Sequence, residues 1–139
     1  MERFKIIVNS QTLASVIGTQ GRDTFDLLDI LINGDASFLE QARRLQPDVI
    51  VYRVKEFSRT AVLVERLKRA CPSTTIVAYA LSEHPEDVAD AINAGADSFI
   101  LGENLSSAQV LQVLKLICRD RVCFFPESAA GFLAPRVLQ

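Results

Sequence analysis

The sequence predicts an α/β fold in which a doubly wound, five-stranded parallel sheet has helices on both faces. Short β-branched runs alternate with segments whose apolar residues recur at helical spacing, the pattern of strands joined by crossover helices. Residues 49–54 (VIVYRV) and 74–80 (TTIVAYA) are almost entirely apolar, as expected of central strands covered on both sides. The length of 139 residues fits one domain.

Five strands are predicted in chain order. The first covers residues 4–8 (FKIIV), and the second covers 25–32 (FDLLDILI) and ends in an Asn-Gly-Asp turn. The two apolar runs are the third and fourth strands. Residues 98–101 (SFIL) are the fifth.

Five helices alternate with these strands. The helix at 11–20 is the weakest, because two nearby glycines interrupt its pattern. Pro47 and Pro72 follow the helices predicted at 36–46 and 60–70 and end them, and Pro85 begins the helix predicted at 85–94. The last helix follows Ser106, which has capping-box spacing with Gln109, and runs to about Cys118.

The chain divides into a domain of residues 1–120 and a tail of residues 121–139. The tail contains an apolar stretch followed by Pro126 and a possible helix start. Both an extra packed helix and the beginning of a linker are consistent with this pattern.

Composition excludes several classes of protein. Apolar residues make up 49% and charged residues 23%, which excludes a disordered chain, and the net charge of -2 argues against a nucleic-acid surface. No apolar run approaches the roughly 18 residues of a membrane helix. Three cysteines without a Cys-x-x-Cys pair and one histidine, His84, offer no zinc ligand set. We expect a reduced, cytoplasmic protein that contacts no membrane and needs no cofactor.

Three stretches resemble one protein family. Residues 45–52 (LQPDVIVY), 84–94 (HPEDVADAINA) and 94–101 (AGADSFIL) are similar to the third strand, the fourth helix and the entry to the fifth strand of bacterial response-regulator receiver domains. The resemblance covers residues 4–118. It implies a flavodoxin-like strand order of 2-1-3-4-5.

The resemblance also implies the position of a phosphorylation site, which here is degenerate. A working receiver holds Mg²⁺ with an acidic pair after its first strand and accepts phosphate on an aspartate that ends its third strand. The acidic pair corresponds to Asn9 and Ser10, and the acceptor to Arg53. A hydroxyl and a lysine that contact the phosphate correspond to Tyr79 and Gly102.

The pocket positions lead to a specific expectation for Arg53. Its guanidinium stays protonated, so it would repel a magnesium ion. We expect it to take the place of the cation and to bind Asn9 or Ser10. Glu56 is an alternative acidic group if the third strand is longer than predicted.

The family's other functional features map onto the second half of the chain. Phe99 occupies the position of the switch aromatic. We favour a structural role, as an aromatic residue on a half-buried edge-side strand, because Tyr79 would block the space that a switch needs. The last helix has more apolar residues than one buried stripe requires, which predicts a homodimer or contact with another signalling protein. The predicted interface comprises Asp90, Asn93, Leu101, Val110, Val113, Leu114 and Ile117.

The leading functional prediction is a pseudo-receiver, a phosphorylation-independent interaction domain without enzymatic activity in a signalling or transcription regulator. Residues 125–130 (FPESAA) resemble a linker to a helix-turn-helix half, but no recognition helix follows, so this chain is not expected to bind DNA itself. One alternative is a receiver that is still phosphorylated at a rearranged site. Another is a sensor in which Arg53 and Lys55 bind a small carboxylate or phosphate. A cobalamin-type domain is disfavoured, since no histidine lies near the first strand.

Overall fold

A single parallel sheet organises the structure, a computed structural model that describes residues 3–30, 35–54, 57–81 and 85–126. The strand order is β2-β1-β3-β4-β5, which confirms the predicted fold class and order. The strands are β1 (Phe4–Val8), β2 (Phe25–Ile30), β3 (Val49–Arg53), β4 (Thr75–Ala80) and β5 (Ser98–Leu101).

Five helices connect and follow the strands. They are α1 (Gln11–Gln20), α2 (Asp35–Leu45), α3 (Phe57–Ala70), α4 (Pro85–Asn93) and α5 (Ser107–Asp120). The helix α3 begins three residues before its predicted start at residue 60, and α5 continues two residues beyond its predicted end at 118. The last two residues of the predicted second strand lie outside the described residues. No helix within the described part of the chain is long and apolar enough to cross a membrane.

The apolar core forms on both faces of the sheet. On one face, α1 and α5 cover Ile6, Val8, Val51, Val77 and Ile100. On the other face, α2 and α3 pack against β1 and β3, and α4 packs against β4 and β5. Burial of both faces explains why the central strands are apolar along their whole length.

The beginning of the tail lies on the free edge of the sheet. Residues 121–126 contain no helix, and the backbone N–H of Phe99 in β5 donates to the carbonyl oxygen of Phe124 at 2.7 Å. The possible helix start after Pro126 falls outside the described residues. The described part of the tail is therefore an extended segment against β5.

Candidate functional site

The five predicted pocket positions meet at the carboxyl ends of β1, β3, β4 and β5. Asn9 is hydrogen-bonded to Arg53, which is the register partner of Tyr79, and the Tyr79 ring covers Gly102. Ser10 follows Asn9 and begins α1. The structure thus brings together the positions that sequence reasoning selected, at the sheet edge where α/β folds place their sites.

Asn9 joins β1 to β3 through its side chain. Its Nδ2 donates to the Arg53 carbonyl oxygen at 3.1 Å, and its Oδ1 accepts from the Arg53 backbone N–H. The side-chain amide of Asn9, one residue beyond Val8, therefore continues the connection of β1 to β3 beyond the last backbone pair, Val8 with Val51. With only 6% of its surface exposed, Asn9 is a structural connection between strands.

Ser10 serves the start of α1. Its Oγ accepts a hydrogen bond from the Leu13 backbone N–H at 3.3 Å, and its carbonyl oxygen accepts from the Ala14 N–H at 2.9 Å. These contacts are those of an N-cap residue with extended backbone. The buried Ser10 hydroxyl is thus hydrogen-bonded within its own helix.

The contact between Arg53 and Asn9 differs from the expected one. Both hydrogen bonds use the Arg53 backbone, so the prediction that its guanidinium binds Asn9 is wrong. The hydrogen bonds of Ser10 go to α1 instead. Arg53 is half-buried at the end of β3.

The Tyr79 ring occupies the space above Gly102. A Cβ placed on Gly102 would overlap Cε2 and lie 2.9 Å from the phenolic oxygen of Tyr79, well inside van der Waals contact. Tyr79 is 8% exposed and belongs to the cluster between the sheet and the helices α1 and α5. A side chain at position 102 would require the Tyr79 ring to shift, so the ring and Gly102 are matched in size.

Phe99 lies on the opposite face of the sheet from Tyr79. It is 1% exposed and packs with Val88 and Ile92 of α4, whereas its neighbour Ile100 packs on the face of Tyr79. The structural role of Phe99 stays a prediction, and its ring is more buried than the half-buried edge-side strand that the sequence analysis expected. The reason given for it, that Tyr79 blocks the space for Phe99, is wrong, because the sheet separates the two rings.

The donor set at the pocket does not fit magnesium. Mg²⁺ in proteins is bound through carboxylates, yet Asn9, Ser10 and Arg53 supply an amide, a capping hydroxyl and a cation. Among the described residues there is no group of three His, Cys, Asp or Glu side chains that could hold a metal ion. Glu56, Lys55 and His84, which the sequence analysis considered, lie outside the described residues.

The predicted interface divides into buried and accessible residues. Val110, Leu114 and Ile117 are buried in the cluster between α5 and the sheet, so their assignment to an interface is wrong. Val113 is half-buried against the same cluster. The three remaining positions, on α4 and β5, keep accessible surface: Asp90 is exposed, and Asn93 and Leu101 are half-buried.

Two features of this region were missed in the sequence. One is the extended segment on β5. Its adjacent residues Phe124 and Phe125 pack on opposite faces of the sheet, as neighbouring residues of a strand do. The other is the reciprocal size of Tyr79 and Gly102, a large ring beside a residue without a side chain. In both cases the pairing partner is distant along the chain.

Comparison with solved structures places the fold among receiver domains. No protein-family model matches the sequence, and a search of curated proteins gives no match. The isolated receiver domain of RcsB from Salmonella enterica serovar Typhimurium, with the phosphomimetic BeF3⁻, aligns with a TM-score of 0.73 at 12% identity, over 96% of this chain and 100% of that chain.

Two further structures agree. A response regulator from Thermotoga maritima has a TM-score of 0.69 at 21% identity, over 85% of this chain and 99% of that one. The signal receiver domain of the response regulator NarL from Mycobacterium tuberculosis has a TM-score of 0.71 at 16% identity, over 86% and 98%. The chain therefore has the fold of response-regulator receiver domains.

Proposed function

We propose that this chain is a pseudo-receiver, a signalling regulatory domain that acts through protein–protein contacts and does not use phosphorylation at the strand-end pocket. The observation that best supports the proposal is the filling of the pocket by Tyr79 over Gly102. In the family that the chain resembles, a lysine at the second position neutralises the phosphate. Here neither that lysine nor the space for it exists.

Charge at the pocket supports the same proposal. Transfer of a phosphoryl group to a carboxylate requires a nucleophilic carboxylate and a divalent cation that offsets the incoming negative charge. Arg53 offers no nucleophile to a phosphodonor, since its guanidinium stays protonated. Asn9 and Ser10 carry no charge that would attract the cation.

The hydrogen bonds at the pocket indicate a fixed arrangement. The side-chain amide of Asn9 both donates to and accepts from the Arg53 backbone, and Ser10 caps α1. A residue that rearranged on activation would leave these polar groups unpaired, at a cost of about 1–3 kcal/mol for each. A pocket with a fixed arrangement is expected of a domain that acts through protein–protein contacts on its surface.

The kind of partner follows from the accessible surface and from the structural neighbours. The α5 pattern no longer supports a homodimer, because Val110, Leu114 and Ile117 are core residues. Asp90, Asn93 and Leu101 remain as the accessible part of the predicted interface, for contact with another signalling protein. A structure of two RcsB dimers bound to two parallel DNAs aligns with 95% of this chain and 68% of that one, at 13% identity and a TM-score of 0.71. We therefore propose the regulatory part of a transcription regulator as the context.

A phosphodonor experiment tests the proposal. The chain is incubated with acetyl phosphate and Mg²⁺ and read by intact mass, beside a receiver with a complete acidic pocket as the positive control. We expect no added phosphate on this chain under conditions that modify the control. A stoichiometric, Mg²⁺-dependent phosphate on this chain would contradict the proposal and favour the alternative of a receiver with a rearranged site.

The small-ligand alternative has its own measurement. The unfolding temperature is measured with nucleotides, inorganic phosphate and small carboxylates. It would rise if the cleft bound one of them, since a ligand that binds only the folded state stabilises it. We expect no shift. A saturable shift that is lost in Arg53→Gln would instead support a ligand-sensing function.

A further inference from the structure

The extended segment of residues 122–126, which we call the strap, is held against β5 by its backbone. The N–H of Phe99 donates to the carbonyl oxygen of Phe124 at 2.7 Å, and the N–H of Phe124 donates to Ser98 Oγ at 3.1 Å. Ser98 is completely buried, so its hydroxyl depends on partners within the protein. The strap therefore supplies one backbone hydrogen bond of the kind that a sixth strand would make and one hydrogen bond to a buried side chain.

The side chains of the strap alternate as in a strand. Phe124 packs with the cluster between the sheet and the helices α1 and α5, whereas Phe125 packs with the α4 cluster that contains Phe99. Both rings are half-buried. The strap thus covers the edge of β5 from both faces of the sheet.

Without this cover, β5 would be an unprotected edge strand. Edge strands with unpaired N–H and C=O groups pair readily with other chains, and proteins usually protect them with charges or prolines. The sequence of β5, SFIL, contains neither. A single strand edge can also pair with its own copy across a two-fold axis, which needs no other partner.

We propose that the strap is an intramolecular edge cover that prevents β5 from pairing with β5 of a second copy of this chain. The segment that leaves α5 turns at Arg121, whose φ of 54° lies in the left-handed region, and this turn directs the strap back along the sheet. When the strap leaves β5, the edge becomes open and the chain self-associates through it. The proposal is independent of the pocket, so the phosphodonor experiment and this one can fail separately.

The test uses the full chain with the strap weakened. In Phe124→Ala/Phe125→Ala both rings that hold the strap are removed, and Leu116→Ala is the control, because Leu116 is an apolar α5 residue that is 44% exposed. Light scattering over a wide concentration range gives the mass, and amide hydrogen exchange reports the Phe99 N–H. We expect a monomer for the natural chain and the control, and a concentration-dependent dimer for the double variant.

Hydrogen exchange distinguishes the strap from other causes of association. At low concentration the Phe99 amide of the double variant should exchange at least about tenfold faster than in the natural chain, because the weakened strap leaves β5 and takes the carbonyl acceptor of residue 124 away. Protection should return as the dimer forms.

Three results would overturn the proposal: a double variant that is folded and monomeric at every concentration, a Phe99 amide that stays protected in its monomer, or a natural chain that is already a dimer with the strap in place. If the double variant does not fold, Phe125→Ala alone retains the Phe124 ring and is judged by the same measurements.

Discussion

The ring of Tyr79 lies so close to Gly102 that the two residues form one packing unit. A Cβ at position 102 would overlap Cε2 of the ring. Tyr79 in turn is held between the sheet and α1 and α5, with Val110 and Leu111 in the same cluster. The ring has little room to move away, so the fit depends on both residues.

The first prediction is that Gly102→Ala destabilises the protein. The added methyl group overlaps the Tyr79 ring, and overpacking of a core typically costs about 1–3 kcal/mol. Urea unfolding followed by circular dichroism measures the free energy of unfolding. Gly18→Ala is the matched control, since no atom lies within 4 Å of its Cβ position in α1. That control should be stabilised by about 0.5–1 kcal/mol.

The double variant Tyr79→Ser/Gly102→Ala identifies the cause. If the ring is what excludes the methyl group, the cost of Gly102→Ala should fall when residue 79 is small, with a coupling energy of about 0.5–3 kcal/mol. Strictly additive effects would mean that the methyl group meets some other obstacle.

The second prediction concerns Asn9. Asn9→Ala removes both hydrogen bonds to the Arg53 backbone and should cost about 1–3 kcal/mol of unfolding free energy, because two partly buried backbone groups lose their partner. Asn9→Asp retains an acceptor for the Arg53 N–H but places a carboxylate against the Arg53 carbonyl oxygen. It should therefore also be destabilised at pH 7, and an Asn9→Asp protein as stable as the natural chain would argue against the strand-joining role.

The third prediction distinguishes the three cysteines by their reactivity. Burial raises the pKa of the Cys118 thiol to about 12, with a smaller contribution from Asp48, and burial also raises the pKa of Cys71. Cys123 is exposed. At pH 8 a thiol reagent should modify Cys123 first, since the thiolate is the reactive form. Mass spectrometry should show one rapid addition in the folded chain and three in denaturant; rapid modification of Cys118 in the folded chain would contradict its burial.

The fourth prediction concerns stability in acid. The hydrogen bond from Lys115 lowers the pKa of Asp23 below its ordinary value of 3.8, and Arg119 acts in the same direction. The Lys115 Nζ lies 3.3 Å from Asp23 Oδ1, and an Arg119 nitrogen lies 3.4 Å from Oδ2. A carboxylate with a lowered folded-state pKa stabilises the fold above its unfolded pKa. This stabilisation should disappear as the pH falls from about 3.8 through the lower folded-state value.

NMR titration of the Asp23 carboxyl tests this sign directly. The midpoint in the natural chain should lie below 3.8 and should move towards that value in Lys115→Met. Added salt should weaken the effect, because the carboxylate is exposed and its ion pairs are screened. An unchanged midpoint in Lys115→Met would show that the lysine is not the cause.

The element order was predictable because the chain marks its strands clearly. The fifth strand, Ser98–Leu101, is predicted with its observed bounds, since Gly95 precedes it and Gly102 follows it. The start of α3 at Phe57 was missed, because its first turn has no acidic residue to signal a helix start. The pocket positions were also predictable, because the ends of parallel strands share one sheet edge.

The orientations of side chains were harder to predict from the sequence. A strand buried on both faces, such as β4 with TIVAYA, shows no alternation of polar and apolar residues, so the face of Tyr79 cannot be read from its pattern. The width of the buried stripe on α5 was underestimated for a similar reason: Val110, Leu111, Leu114 and Ile117 all contact one core. The bond between Asn9 and Arg53 was hidden because it uses a backbone that any residue would provide.

The fit of Tyr79 over Gly102 also restricts the evolutionary routes open to this chain. A lysine cannot arise at position 102 while the phenol ring remains, because its first side-chain carbon already overlaps the ring. Shrinking residue 79 first leaves a hollow in the core, which is itself costly. Substitution in either order would thus pass through a destabilised intermediate, so positions 79 and 102 should change together or not at all.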